Sequence, residues 1–423
     1  MSVHVSILTR LALRNLRRQT RRSLLSGLAM VVGLALLAFS RALAAGAHED
    51  WIEAGVRLSG GHVTVEAPHF HARKTLSYRI SGDELRAVND ALSTAGLAAD
   101  VRSSAVRLEI QGLASTAVSA APVTVLGVQP GSERDFSHLA ERLINGRYLA
   151  ENDRLHAYIG EKLAERLGLG IDSRLILTAQ DAEGEISGQL TRVAGIFRTG
   201  IPEVDERRVE IPIGMAREWL GADGSATSVA LLLGSSDRVQ DVVARLDHEL
   251  SSRDADLEVL TWREASPGLD AAIRMDDFGD WVFHSITLVV VALAVVNTIL
   301  MSVLYRVREF GVVRALGLTR TETGVQVLIE GLLLSVASGL LGIALGLALT
   351  WIFFRDGLDY SFLLEEGFRA AGTIMEPIVR PRFHVSQLIG SLAFVFGIGI
   401  LASAYPAFRA TRIEVADAMK FEA

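Results

Sequence analysis

No cysteine occurs anywhere in the 423 residues, which excludes a disulfide framework, a thiolate metal site, a lipidated cysteine and a cysteine nucleophile. Lysine is nearly as scarce. Only Lys74, Lys162 and Lys420 are present, preceded by Arg73, Glu161 and Met419. A phosphate-binding loop needs Gly-Lys-[Ser/Thr], because backbone N–H groups cradle the phosphates and the lysine reaches the terminal ones. No such loop exists in this chain. The polar middle of the sequence is short of positive charge: residues 46–280 hold 24 basic and 38 acidic groups. A segment of that sign repels phosphate, so nucleic acid is not an expected partner.

What the chain has in excess is apolar residues. Half of it is hydrophobic and the mean hydropathy is +0.32, high for a soluble protein of this size. Four stretches are long enough to cross a hydrocarbon core of about 30 Å as helices. They run over residues 24–45, 281–304, 325–354 and 388–408. Residues 1–45 carry seven Arg and no acid, whereas residues 281–423 carry eleven basic and eleven acidic groups. Cytoplasmic loops collect Arg and Lys, so the basic segment 1–23 is placed inside and residues 46–280 outside. The loop 305–324 is then inside, the loop 355–387 outside and the tail 409–423 inside. Ala42-Leu43-Ala44 has the form of a signal-cleavage site. The run before it is long for a signal peptide and Arg41 sits within the would-be cleavage region, so the first span reads as retained.

The expected fold is an α-helical membrane protein with four transmembrane helices and a large mixed α/β domain inserted between the first and second. Within residues 46–280, runs such as 62–65, 123–127, 174–177, 191–196 and 229–233 read as strands. Residues 83–93, 160–167 and 239–250 read as helices. A β-rich lobe is expected at about 146–220. A long helix from Leu269 to Leu304 is expected to lead into the second span, with Asp276 and Asp277 solvating its outer end. His62, His69 and His71 with Glu66 form the one cluster with ligand chemistry, His69 and His71 pointing the same way if extended. Solvated polar residues are the simpler reading of them, and neither metal nor catalytic residues are expected.

Ionisable groups are sparse inside the spans. Asn297 and Glu330 are the exceptions, and structural roles are expected for both. Small residues instead recur at packing intervals: Ser26, Gly33 and Ser40; Gly331, Ser335, Gly339, Gly342 and Gly346; Gly390, Gly397 and Ala404. Such stripes let helices approach closely in lipid. They describe a tight bundle suited to transmitting force.

Between the second and third spans, residues 305–317 read YRVREFGVVRALG. As a helix this is a short basic amphipathic element, suited to a lipid surface or to a partner's groove. The string R-x-R-E-[apolar]-G-x-x-R-A-[apolar]-G resembles the coupling segment of the FtsX-like (MacB-type) ABC permeases. The segments 11–16 (LALRNL) and 405–412 (YPAFRATR) are similar to the same group's flanks of the first and last spans. Within that group the order of one span, a large outer domain and three further spans is closest to the lipoprotein-releasing (LolC/LolE-type) permeases. One departure is Val415, which stands where the group usually has proline.

The resemblance implies a permease of the bacterial inner membrane, multi-pass, with both termini cytoplasmic and a MacB-like periplasmic domain. It implies a cytoplasmic ABC ATPase dimer as partner, holding the ATP and magnesium that this chain has no loop for, and a second permease copy or paralogue. Membrane lipid and a periplasmic lipoprotein or adaptor complete the implied partners. The ATPase contact would comprise Arg306, Arg308, Glu309, Phe310, Gly311, Arg314, Ala315, Leu316 and Gly317. Lipoprotein release or related export is the leading expectation. Activation of a cell-wall hydrolase without transport is the alternative.

Overall fold

The computed structural model describes Arg10, Arg14 and residues 20–94, 96–304, 307–315, 317–359 and 378–411. The chain divides into two compact units. One consists of Asp50–Met275 with Phe362–Glu376, the other of Met1–Glu49, Asp276–Ser361 and Pro377–Ala423.

The first unit is built on one ten-stranded mixed sheet. Its strands are β1 (Val63–Glu66), β2 (Val101–Ser115), β3 (Ala120–Val128), β4 (Leu143–Gly146), β5 (His156–Gly160), β6 (Arg174–Gln180), β7 (Ile186–Phe197), β8 (Arg208–Pro212), β9 (Ser228–Leu233) and β10 (Glu258–Thr261). The order is β10-β1-β9-β2-β3-β8-β5-β7-β4, with β6 bridging β2 and β7. Every strand expected from the sequence is present. The stretch expected to form an inserted lobe does not leave the sheet: β8 runs parallel to β3 and β6 pairs with β2, so hydrogen-bond ladders cross the expected lobe boundary.

Two helices of this unit begin where side chains satisfy their first N–H groups. Ser81 and Glu84 exchange side-chain-to-backbone hydrogen bonds at the start of Gly82–Thr94, and Thr261 with Glu264 does the same for Trp262–Ala265. Helix Val239–Ser252 turns Val242, Leu246 and Leu250 inward at steps of four, onto Val65, Val229 and Leu231. Glu161–Leu167 ends at Gly168, whose φ of 64° only a residue without Cβ adopts cheaply.

The sheet is two-faced. One face buries Val63, Val65, Leu108, Ile110, Val125, Val209 and Ile211. On the other, register sets Glu258, Glu66, Ser228 and Arg107 in one row across β10, β1, β9 and β2. Glu109, Leu126 and Glu210 form a second row across β2, β3 and β8.

The second unit is helical. Among the described residues three helices are long and apolar enough to cross a membrane, spanning Met30–Leu58, Arg320–Phe354 and Leu388–Tyr405. The expected second span, 281–304, forms the C-terminal part of helix Pro267–Leu304 but is not among these three. Helix Arg320–Phe354 opens with a reciprocal Thr319–Glu322 cap, so the expected 305–324 loop ends in helix. Short strands β11 (Leu358–Asp359) and β12 (Ile378–Val379) pair within the 355–387 loop.

Close approach of helices rests on small residues. A Cβ on Gly342 would lie 2.7 Å from the Leu34 side chain, and one on Gly346 would lie 2.7 Å from the Ala35 carbonyl. Met30 packs between Val291, Val296, Leu334 and Ile398, joining all four apolar segments. At one end of the unit, His48 bonds Asp276 at 2.9 Å and Asp277 at 3.2 Å, while the neighbouring Glu49 pairs with His384 at 2.9 Å and with Arg382. Asp276 and Asp277 therefore tie helices together as well as facing water.

Candidate functional site

The segment singled out for partner contact is a separate helix, Val307–Ala315, set between two long apolar ones. It stops at Gly317, whose N–H bonds the Arg314 carbonyl at 3.0 Å with φ at 112°. Glycine permits that turn, and the Thr319 cap then starts the next helix. Glu309, Ala315 and Gly317 are exposed, Arg314 is half-buried and Gly311 is buried. Arg306 and Leu316, and the side chains of Arg308 and Phe310, lie outside the described residues.

The expected small-residue stripes are brought together unevenly. Gly331, Ser335, Gly339, Gly342 and Gly346 are all buried along one face of Arg320–Phe354. In the first span a Cβ on Gly33 would only graze Val291 at 3.9 Å, and Ser40 bonds its own helix at the Leu37 carbonyl. Gly27 makes the closer approach: a Cβ there would lie 3.3 Å from the Ser338 hydroxyl. The Ser26 side chain lies outside the described residues. In the last span Gly390 and Ala404 are exposed within the chain, and Gly390 and Gly397 meet nothing within 4 Å. The buried line is Ser391, Gly399, Ser403 and Ala407. Two residues along a helix turn the face by about 200°, so Gly397 and Gly399 look in nearly opposite directions. Asn297 is exposed within the chain, and Glu330 is buried, accepting from Gln326 at 3.3 Å.

The histidine cluster separates. The extended arrangement expected of His69 and His71 is replaced by a short helix, Phe70–Arg73, with His69 at its N-cap at φ 68° and stacked edge-on to Tyr78. The two side chains therefore do not share a strand face. His62 is buried and accepts the Leu233 N–H at 3.1 Å, and burial lowers its pKa. His71 alone reaches Glu66, its Nδ1 3.9 Å from Oε2. Among the described residues no group of three His, Cys, Asp or Glu side chains could hold a metal.

A buried charge network under the polar sheet face had no signal beyond the strand alternation Arg208-Val209-Glu210. Arg107 forks onto Glu133 with bonds of 3.0 and 2.6 Å, both side chains almost fully buried. Arg208 bonds Glu210 at 2.9 and 2.7 Å and stands 3.6 Å from Glu133. Both arginines also satisfy the carbonyls that end helix Thr20–Leu58 and the residue after it: Arg208 bonds the Leu58 oxygen at 2.6 Å, and Arg107 bonds that of Ser59. Tyr148 donates to Glu210 at 3.2 Å. Against the cost of burial, Arg107 and then Arg208 hold Glu133 below the usual carboxylate range. Burial pushes Glu210 up despite Arg208.

The described chain thus combines apolar helices of membrane-crossing length, a short basic helix ahead of one of them and a separate α/β unit. Residues 281–415 match the family model "FtsX-like permease C-terminal", and the chain is related to ABC transporter permeases of the FtsX-like family. The lipoprotein-releasing system transmembrane protein LolC of Xylella fastidiosa is 22% identical over 313 residues, covering 71% of this chain and 73% of that protein. The macrolide export ATP-binding/permease protein MacB of Bdellovibrio bacteriovorus is 30% identical over 138 residues, covering 33% of this chain and 18% of that protein. The solved periplasmic region of MacB from Actinobacillus actinomycetemcomitans matches 52% of this chain and 97% of that structure at 12% identity, with a TM-score of 0.36.

Proposed function

We propose that this chain is the membrane-spanning subunit of an ABC transporter whose ATPase is a separate chain, and that helix Val307–Ala315 docks on that ATPase. The observation that carries the reading is the position of this helix: it lies inside the matched region 281–415, bounded by the Gly317 turn and the Thr319 cap. A short helix closed by a fixed turn presents its side chains to a partner at low entropic cost. The absence of any Gly-Lys pair in the sequence fits a partner that supplies the phosphate chemistry, with ATP and magnesium bound there. Arg308 and Arg314 provide charge for the contact, and the bacterial inner membrane with both termini cytoplasmic is the setting the arginine distribution supports. A second copy or a paralogue completes the assembly.

The substrate class we infer is lipoproteins, on the relationship to LolC, the longer of the two sequence matches. The test is co-purification and ATPase assay of the permease with its ATPase. Charge reversal at Arg308 and Arg314 together should abolish the permease-dependent part of ATP hydrolysis while the protein still inserts and melts normally. Unchanged coupled activity in that variant removes the helix from the ATPase contact. Cross-linking of lipoproteins to the outer domain supports the substrate reading, whereas capture of a cell-wall hydrolase replaces it with signalling.

A further inference from the structure

A cavity of about 560 Å³ opens over the polar face of the outer-domain sheet, within the size range of small-molecule sites. It is not part of the coupling helix or the helical bundle, and its chemistry does not depend on the permease reading. Glu66 lines it and is only 4% exposed, yet its Oε2 has no hydrogen-bond partner. Nor has the buried Nδ1 of His71, 3.9 Å away. Lys74, held over the Phe70 ring at 4.7 Å, places its ammonium 3.9 Å from Glu66 Oε1 and 3.6 Å from Glu109 Oε1.

These separations exceed the 2.7–3.2 Å of a direct N–H···O bond, but a single oxygen atom spans each of them. An atom placed there can accept from the Lys74 ammonium and donate to Glu109 and to the ionised form of Glu66. A hydroxyl does both, whereas an ammonium cannot accept and an ionised phosphate oxygen cannot donate. The net charge of the wall selects the same chemistry. Lys74 and Arg207 line it together with Glu66, Glu109 and Glu203, and Arg107 and Arg208 are already matched by Glu133 and Glu210. Neither sign of ion is strongly drawn in. Leu126 and Val204 supply an apolar patch for a C–H surface.

We propose that this cavity binds a neutral polyhydroxylated ligand of the sugar class, its hydroxyls bridging Lys74 to Glu66 and Glu109. Burial raises the pKa of Glu66 to about 7, with Lys74 opposing and Glu109 and Glu258 adding to the rise. A carboxylate so poorly solvated gains from a hydroxyl donor.

The test is saturation-transfer NMR and titration calorimetry on the full-length protein in detergent. N-acetylglucosamine and trehalose are the neutral probes; inorganic phosphate and choline are the charged ones. Saturable binding of a neutral sugar is expected, weakened about tenfold or more in Lys74→Met and in Glu66→Gln, because each loses a hydrogen bond to a charged group. Both variants keep their side-chain volume, and an unchanged melting curve separates lost binding from lost folding. Preferential binding of phosphate or choline overturns the proposal. So does the absence of saturable sugar binding to the folded protein, or equal sugar affinity in the Lys74→Met variant.

Discussion

The sheet unit and the helical unit solve the problem of burying backbone and polar groups in opposite ways. In the sheet unit, charge is taken inside and matched: Arg107, Glu133, Arg208 and Glu210 sit beneath the polar face with nearly every donor assigned. In the helical unit the closest approaches fall at Gly27, Gly342 and Gly346, the last two against the backbone of the first span. Water explains the difference. A domain surrounded by water draws its stability from apolar burial, so it can carry a paired ionic cluster as a specificity device, at a desolvation cost. Helices that face lipid gain nothing from apolar burial against one another and must associate through van der Waals fit.

The comparison is broken most severely at Arg107. Replacing it with Met leaves Glu133 buried with Arg208 3.6 Å away as its remaining cation. The expected loss is about 3–5 kcal/mol of unfolding free energy for the sheet unit, read from denaturant unfolding of the full chain. The double replacement Arg107→Met with Glu133→Leu should recover most of that loss, since no charge is then stranded. Failure to recover would mean that the network supports the fold through the Ser59 carbonyl bond rather than through charge pairing.

A smaller effect separates a matched carboxylate from an unmatched one. The folded pKa of Glu66 is raised from 4.5 to about 7 by burial. Between those values the folded protein holds a proton that the unfolded chain has lost. Stability therefore falls as pH rises through that window, by at most about 3 kcal/mol. Glu133 carries the opposite sign: its depressed pKa gives stability that is present at neutral pH and lost only as pH falls through its folded value. Melting curves from pH 4.5 to 7.5 should show this loss flattened in Glu66→Gln. An unchanged slope in that variant assigns the pH dependence to other groups.

Much of the sheet unit was legible because its strands alternate or are β-branched and its helices keep apolar residues three and four apart: Val239–Ser252 and Gly82–Thr94 fall within two residues of expectation. The charge network was not, since Arg107 and Glu133 lie 26 residues apart and only the ladder joins them. His69 and His71 misled for a related reason. The left-handed backbone at His69, which starts a helix in place of a strand, has no signature in a single sequence. In the spans, spacing identified small residues but not the partner of each face. Seven-residue spacing fits Gly390, Gly397 and Ala404 as well as four-residue spacing fits Gly399, Ser403 and Ala407, and nothing in the letters chooses between them.

That choice defines the mildest way to sharpen the comparison. A side chain at Gly342 meets the Leu34 Cβ at 2.7 Å and the Val31 carbonyl oxygen at 2.9 Å, and neither can move without shifting a helix. Gly342→Leu should therefore destabilise the helical unit by about 1–3 kcal/mol through overpacking. Gly390 meets nothing within 4 Å, so Gly390→Leu should leave a monomer as stable as before, or raise its stability by up to about 1 kcal/mol through helix propensity. Thermal melts in detergent, run beside size-exclusion chromatography with light scattering, read both variants. Should Gly390→Leu instead separate a dimer while each copy melts unchanged, the outward stripe of the last span is a contact between copies. The last helix would then use two small-residue faces, one within the chain and one outside it, as a bundle in lipid requires when tight packing is its means of assembly.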